Sequence, residues 1–340
     1  MTADGEALPF AGLSPEAVLD AVESVGLEVD GRLFALNSYE NRVYRVGLAE
    51  PLVVEDERRA RDAVVVKFYR AGRWSDAQIR EEHAFAADLV AAELPVAAPL
   101  RIRDDTLQGH GGFRFAAFES WRGGAPELDA PASRELLGRT LGRFHARART
   151  RRFDYRTHLL DDFGESAIDG VLAGGRIDPS LETAYAQVAG EAVAAIEAAF
   201  ERAGALAALR LHGDCHLGNL LWDARGPVFV DLDDCCSGPA VQDLWMLVAG
   251  EPEQQRREWQ PLIEGYEQFM AFDFREVALI EALRTLRMIR HAAWLAARWS
   301  DPAFPRAFPW FAERRFWEQH LADLREQLES IEDPPLLRSL

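Results

Sequence analysis

Asp214 and Asn219 stand five residues apart in LHGDCHLGNLLW, residues 211–222, and the apolar run VFV that follows ends at Asp231. With His212, Cys215 and His216 interspersed, three chemistries compete for this stretch. Zinc fits poorly: neither CxxC nor HExxH occurs, and His216 follows Cys215 directly, an awkward start for a tetrahedral site. A serine hydrolase lacks its G-x-S-x-G elbow, and Ser237 lies in a Gly-Pro turn. Cys215 as nucleophile would need His216 or His212 as base, yet adjacent residues seldom point at each other. Phosphoryl transfer uses every element. It needs a carboxylate to orient a hydroxyl and accept its proton, and oxygen ligands to hold magnesium on phosphates. The turn DARGP between LLW and VFV predicts a hairpin that brings Asp231 beside Asn219, and two oxygen donors suit an ion that keeps several waters. Supporting roles are expected for Asp233 and Asp234, and hydrogen bonding within the loop for His212.

A second group comes from far upstream. Lys67 is the only lysine in the chain, and it lies in AVVVKFYR, whose β-branched run reads as a buried strand. A cation on such a strand must meet an anion, because an unpaired buried charge is costly. Downstream, SDAQIREEHAFAADLVAAEL reads as a helix with Ile79, Phe85, Leu89 and Val90 at helical spacing. Either Glu81 or Glu82 on it can face back toward Lys67.

The elements around these residues change character along the chain. Residues 14–27 predict a short helix, with Ser14 as cap and Pro15 at its first position. RLFALNSYENRVYRVGL predicts a hairpin whose tip, Asn37 to Asn41, holds no glycine; Ser38 lies in it. GHGGF at 109–113 reads as a hairpin turn between two strands, and ESWRGGAPEL as a connector. Beyond it helices are expected at 133–149, 180–208, 239–250, 255–272, 275–299 and 308–330. Strands first and helices later predict an α+β, bilobal fold: a small β-rich lobe over 1–119, a hinge over 120–126, and a larger helical lobe over 127–340. At 340 residues the chain exceeds one hydrophobic core, which agrees with two lobes.

Composition excludes other classes. The net charge of −18 opposes nucleic acid, and the basic stretches RRARD (58–62) and RARTRR (147–152) are too short to override it. No apolar run is long enough for a membrane span, and MTADGEALPF has the acids that a signal peptide lacks. Three cysteines, two of them the neighbours Cys235 and Cys236, point to a reducing cytoplasm rather than disulfides. A redox role for the vicinal pair is a weaker reading than simple packing. Trp245, Trp294, Trp299, Trp310, Phe311 and Trp317 read first as helix core, and second as an aromatic box for a quaternary ammonium.

Taken together, LNSYENRVYRV (36–46), VVVKFYR (64–70), EEHAF (81–85), LHGDCHLGNLLW (211–222) and FVDLDDCCSGPAVQDLWML (229–247) resemble the aminoglycoside phosphotransferase and choline kinase superfamily. The likeness runs from about residue 10 to 330, and its bacterial serine/threonine protein kinase branch is the nearest. The resemblance implies a kinase-like fold and a cytoplasmic, monomeric enzyme that uses ATP and Mg2+, phosphorylates protein hydroxyls and acts in stress survival. It also implies roles: Asp214 as proton acceptor, Asn219 and Asp231 as metal ligands, Lys67 on the phosphates, Ser38 over ATP, Glu82 as the lysine's partner, and Asp243 as support for the catalytic loop. Adenine is then expected against Glu119–Gly123. Gly213 replaces the arginine of the kinase H-R-D triplet, and the glycine-rich loop, DFG and A-P-E segments are absent. A kinase for a small-molecule hydroxyl of the choline, homoserine or aminoglycoside type shares all these motifs. A catalytically dead nucleotide-binding regulator would be expected to lack one of them.

Overall fold

A computed structural model describes residues 8–53 and 61–339. The acidic N-terminus (1–7) and most of RRARD therefore lie outside the described residues. By contacts the chain forms two compact units. The first comprises residues 1–126, 154–156 and 220–233; the second comprises 127–153, 157–219 and 234–340. Three segments far apart in sequence thus make the first unit, whereas a division at a single connector treats 127–340 as one piece.

In the first unit, Ser14 accepts the amide of Ala17 and starts α1, Pro15–Ser24. Then come β1 (Val29–Leu36), β2 (Arg42–Leu52), β3 (Arg61–Phe68), α2 (Asp76–Val90), β4 (Gln108–His110) and β5 (Phe113–Glu119). The five strands form one antiparallel sheet in the order β1-β2-β3-β5-β4. Strand alternation sorts β3 between two faces. Val64, Val66 and Phe68 enter a core with Val18 and Val22 of α1, while Lys67 leaves by the opposite face. On that face Ala116 of β5 packs with Ile79 of α2. The helix begins at a capping box between Ser75 and Gln78. Ile79, Phe85 and Leu89 are buried as the periodicity predicts; Val90 is exposed, because the helix ends there.

The β-hairpin of β7 (Leu220–Asp223) and β8 (Gly226–Phe229) completes this unit. It bridges Val96 to Phe229 and Gly124 to Trp222. Gly123 permits this close approach, since a Cβ would stand 3.0 Å from the Trp222 carbonyl. The segment 154–156 returns because Glu81 accepts the amides of Asp154, Tyr155 and Arg156 in succession.

The second unit is mainly helical: α3 (Pro131–Ala148), α4 (Glu165–Ala173), α5 (Pro179–Ala203), α6 (Val241–Trp245), α7 (Pro252–Tyr266), α8 (Ile280–Arg298), α9 (Ala303–Ala307), α10 (Arg314–Glu332) and α11 (Pro335–Ser339). A small pair, β6 (Leu209–Leu211) with β9 (Cys236–Gly238), lies among them. α3 and α7 approach until backbones touch: a Cβ on Gly138 would fall 1.9 Å from the Leu262 carbonyl oxygen, and one on Gly265 would fall 2.1 Å from that of Glu135. Several helices are shorter than the sequence suggests. α5 stops at Gly204, whose φ is +72°, rather than at 208. The helix expected over 239–250 is only Val241–Trp245, ended by tight turns in which Leu247 and Val248 donate to Leu244 and Trp245. A 3-10 segment, Phe274–Leu279, precedes α8. No helix among the described residues is long and apolar enough to cross a membrane.

Candidate active site

In the first unit the site grows around Lys67. Its Nζ lies 2.8 Å from Asp231, 2.9 Å from Asp233 and 3.5 Å from Glu82. Burial alone would strip the charge from this lysine, but the three carboxylates outweigh it and push the ammonium well above its ordinary range. Two arginines balance those carboxylates. Arg156 donates to Glu82 at 2.7 Å and to the Asp233 carbonyl at 2.6 Å, and Arg73 reaches the Asp233 carboxylate at 2.5 Å. Three cations therefore face three carboxylates, all but Asp231 largely withdrawn from water. Burial raises Glu82 to about 7 against the pull of Lys67 and Arg156. Burial also opposes the charge on Asp233, yet Lys67 and Arg73 hold it well below the usual carboxylate range.

The choice between Glu81 and Glu82 is settled by direction. Glu82 faces Lys67, whereas Glu81 is spent on the amides of 154–156. Asp231 differs from Asp233 in exposure: its side chain is 47% accessible against 4%. Its φ of +59° is a left-handed conformation rare for non-glycine residues, and such strain gathers at functional positions. Asp233 is the structural member, taking the Asn41 side-chain amide at 3.1 Å as well. Asn41 also accepts the Arg70 amide at 3.1 Å, and Arg70 donates to the Glu40 carbonyl at 2.9 Å. These bonds pin the glycine-free β1–β2 tip. Ser38 lies in that tip with its hydroxyl donated to the Asn41 carbonyl at 3.2 Å.

In the second unit the loop from His212 to Asn219 is built on Asp243. Its two carboxylate oxygens take the amides of His212 and Gly213 at 2.8 and 2.9 Å. His145 holds the same carboxylate at 3.0 Å and is itself bonded to the Tyr266 hydroxyl at 2.9 Å. Gly213 has φ +86°, and a Cβ on it would lie 2.0 Å from the Asp234 carbonyl, so no arginine can stand here. His212 is fully buried beneath the loop.

Asp214 projects from this frame. It is paired with Arg287 of α8 and lies 3.4 Å from His216 Nε2. The Gly218 amide donates to His216 Nδ1 at 2.9 Å, which leaves Nε2 as the protonated nitrogen facing the carboxylate. Burial would raise Asp214, but His216 and Arg287 overcome it and hold the carboxyl far below its usual range. Asn219 ends a 3-10 turn, Leu217–Asn219, and its side-chain nitrogen donates to the Asp214 carbonyl at 3.0 Å. That bond engages the amide nitrogen, and Oδ1 is the side chain's remaining acceptor. Arg73, Arg156, Arg287 and Asn41 were not legible as site residues. Among 37 arginines nothing local distinguishes the three that reach these carboxylates.

A strand lysine caged by carboxylates and an aspartate–asparagine loop are parts of a phosphotransferase. Residues 33–280 match the Phosphotransferase enzyme family, and the chain belongs to that family. Over 336 residues, 98% of each chain, it is 43% identical to Stress response kinase A of Escherichia coli (strain K12). Over 331 residues, 97% of each, it is 43% identical to the Salmonella typhimurium (strain LT2) protein named Serine/threonine protein kinase RdoA. Among solved structures, an amicoumacin kinase in complex with AMP-PNP and Ca2+ superposes with a TM-score of 0.69 at 18% identity, covering 94% of each chain. Choline kinase from Cryptosporidium parvum gives 0.60 at 13% identity, over 95% of this chain and 98% of that one. These likenesses establish the α+β fold of the aminoglycoside phosphotransferase and choline kinase type.

Proposed function

We propose that this protein is an ATP- and magnesium-dependent serine/threonine protein kinase. Phosphotransfer rests chiefly on one observation: a single buried lysine held by Glu82 and by the strained, half-exposed Asp231. The protein acceptor rests on the full-length likeness to relatives named as a stress response kinase and a serine/threonine protein kinase. In this reading Lys67, oriented by Glu82, holds the ATP phosphates. Ser38 covers them from the β1–β2 tip, and adenine lies against Glu119–Gly123. Asn219 Oδ1 and the Asp231 carboxylate would hold Mg2+; both are the hard oxygen donors that ion prefers. When bound, the ion neutralises charge on the transferring phosphoryl group.

Asp214 orients the acceptor hydroxyl and takes its proton. A carboxylate held so far below its ordinary range is a weak base, so the proton moves late, as the new P–O bond forms in a loose transition state. A cytoplasmic, monomeric enzyme acting in stress survival belongs to the same proposal.

The second reading, a kinase for a small-molecule hydroxyl, is favoured by a cavity of about 360 Å³ in the second unit and by the names of the solved relatives. Labelled ATP separates the two. Given γ-labelled ATP and magnesium in desalted and undesalted lysate, the enzyme is expected to label proteins, and Asp214→Ala to abolish the label. Label confined to small molecules of undesalted lysate would overturn the protein-kinase reading in favour of the second.

A further inference from the structure

The cavity of about 360 Å³ has a charge character that the family motifs do not specify. It is lined by His216, Trp245, Gln255, Arg284 and Arg287, together with Met246 and the turn Val248–Gly250, and no carboxylate residue is among its described lining. Arg284 and Arg287 stand three apart on α8, so both guanidinium groups leave by one face. Arg284 lies over the Trp245 ring, 5.5 Å from its centroid, and its nearest carboxylate is the buried Glu281 at 3.5 Å. Arg287, 45% exposed, is paired with Asp214. Both guanidinium groups are thus balanced by carboxylates that are not among the cavity lining, and the cavity offers their donors next to the carboxylate assigned as base.

That pairing poses a problem for a hydroxyl approaching Asp214, since Arg287 already occupies one carboxylate oxygen. An acceptor that brings its own anion resolves it. Its carboxylate takes over Arg287 and Arg284, and the Asp214 oxygen is released to the hydroxyl. A cationic acceptor offers no such exchange and leaves the Asp214 carboxylate engaged by Arg287.

We propose that this cavity is the acceptor site and that it selects a hydroxyl carried beside a carboxylate, whether on an acidic peptide or on a small hydroxy acid. The proposal rests on the phosphotransferase reading with Asp214 as base. Trp245 supplies the flat support that keeps the Arg284 fork oriented, as guanidinium groups stack well on indole.

The test uses the full-length protein with ATP and magnesium and four acceptors: a serine pentapeptide flanked by glutamates, its lysine-flanked counterpart, glycerate and choline. ADP formation and phosphate transfer are followed together. The glutamate peptide, glycerate or both are expected to exceed the lysine peptide and choline in kcat/KM by about tenfold or more, the worth of one charge-assisted contact. Which of the two leads identifies the source of the carboxylate. Arg284→Gln is expected to erase that preference through the KM of the acceptor and not of ATP, and Arg284→Lys to keep part of it. Preference for choline or the lysine peptide, or an acidic preference untouched by Arg284→Gln, overturns the proposal and leaves phosphotransfer standing. Absence of Asp214-dependent ADP formation with every acceptor overturns the underlying reading, and the acceptor assignment with it.

Discussion

Asp214 and Asp231 make separable demands on single side chains. In the proposed mechanism Asp214 works on the hydroxyl, and its shorter bond to Asn219 is through the backbone carbonyl, which alanine keeps, so Asp214→Ala is expected to cut turnover by about 10²–10⁴, roughly 3–5 kcal/mol of barrier, with nucleotide affinity nearly kept. Steady-state kinetics beside calorimetric titration with an ATP analogue checks this; an equal loss of affinity and turnover counts against the role of base. Asp231→Ala is expected to remove the magnesium dependence of nucleotide binding. The fold should survive, because Lys67 keeps Asp233 at 2.9 Å and Glu82 at 3.5 Å. Magnesium titrations of the variant that match the wild type would remove Asp231 from the ligand set. Both aspartates could be singled out in the sequence because five- and twelve-residue spacings are set by one loop and one hairpin. Their guanidinium partners were not. Arg156 meets Glu82 from 74 positions away, and Arg287 meets Asp214 from 73, and such pairings exist only once the chain is folded.

Elements were legible where their period is strong. β3 alternates Val64, Val66 and Phe68 against Lys67, and α2 carries both its cap and its apolar stripe, so each stands where the sequence puts it. α4 escaped notice because it has nine residues between Gly164 and Gly174, too short for a periodic signal. Trp317, read first as helix core, is buried on α10 and packs edge-on to Tyr185 of α5 at 5.6 Å. Beside it His320 is stacked between Tyr185 and Phe316, with centroids 5.9 and 5.6 Å away. Burial drops His320 from its ordinary 6.5 to about 4. A histidine depressed in the folded state contributes stability that is complete above the unfolded value of 6.5 and is lost as pH falls through 4. The unfolding free energy from denaturant titrations is therefore expected to fall between pH 6.5 and 4, by up to about 3 kcal/mol from this residue. His320→Phe, which keeps the stack, should flatten that part of the curve; an unchanged slope would assign the acid sensitivity elsewhere.

On the scale of the whole molecule the chain passes between its two units five times, at 126/127, 153/154, 156/157, 219/220 and 233/234. The sequence discloses the two compositions, strand-rich then helix-rich, but not these returns, which are fixed by Glu81 gripping three amides and by the β7–β8 hairpin bridging Val96 and Gly124. The returns set a timetable for synthesis. At ~5–20 residues per second, about 5–20 s separate the emergence of residue 126 from that of residue 233. Throughout that interval the nascent sheet has no β7–β8 hairpin, and Lys67 has Glu82 but neither Asp231 nor Asp233 to answer its charge. Ribosomes arrested at residue 126 are expected to carry a protease-sensitive first unit, and those arrested well beyond residue 233 a resistant one. Equal resistance at both points would mean that the sheet matures without its latest segment. The same timing makes the lysine cage one of the last parts of the first unit to close. A cell reads about two thirds of this message before the first unit can be completed.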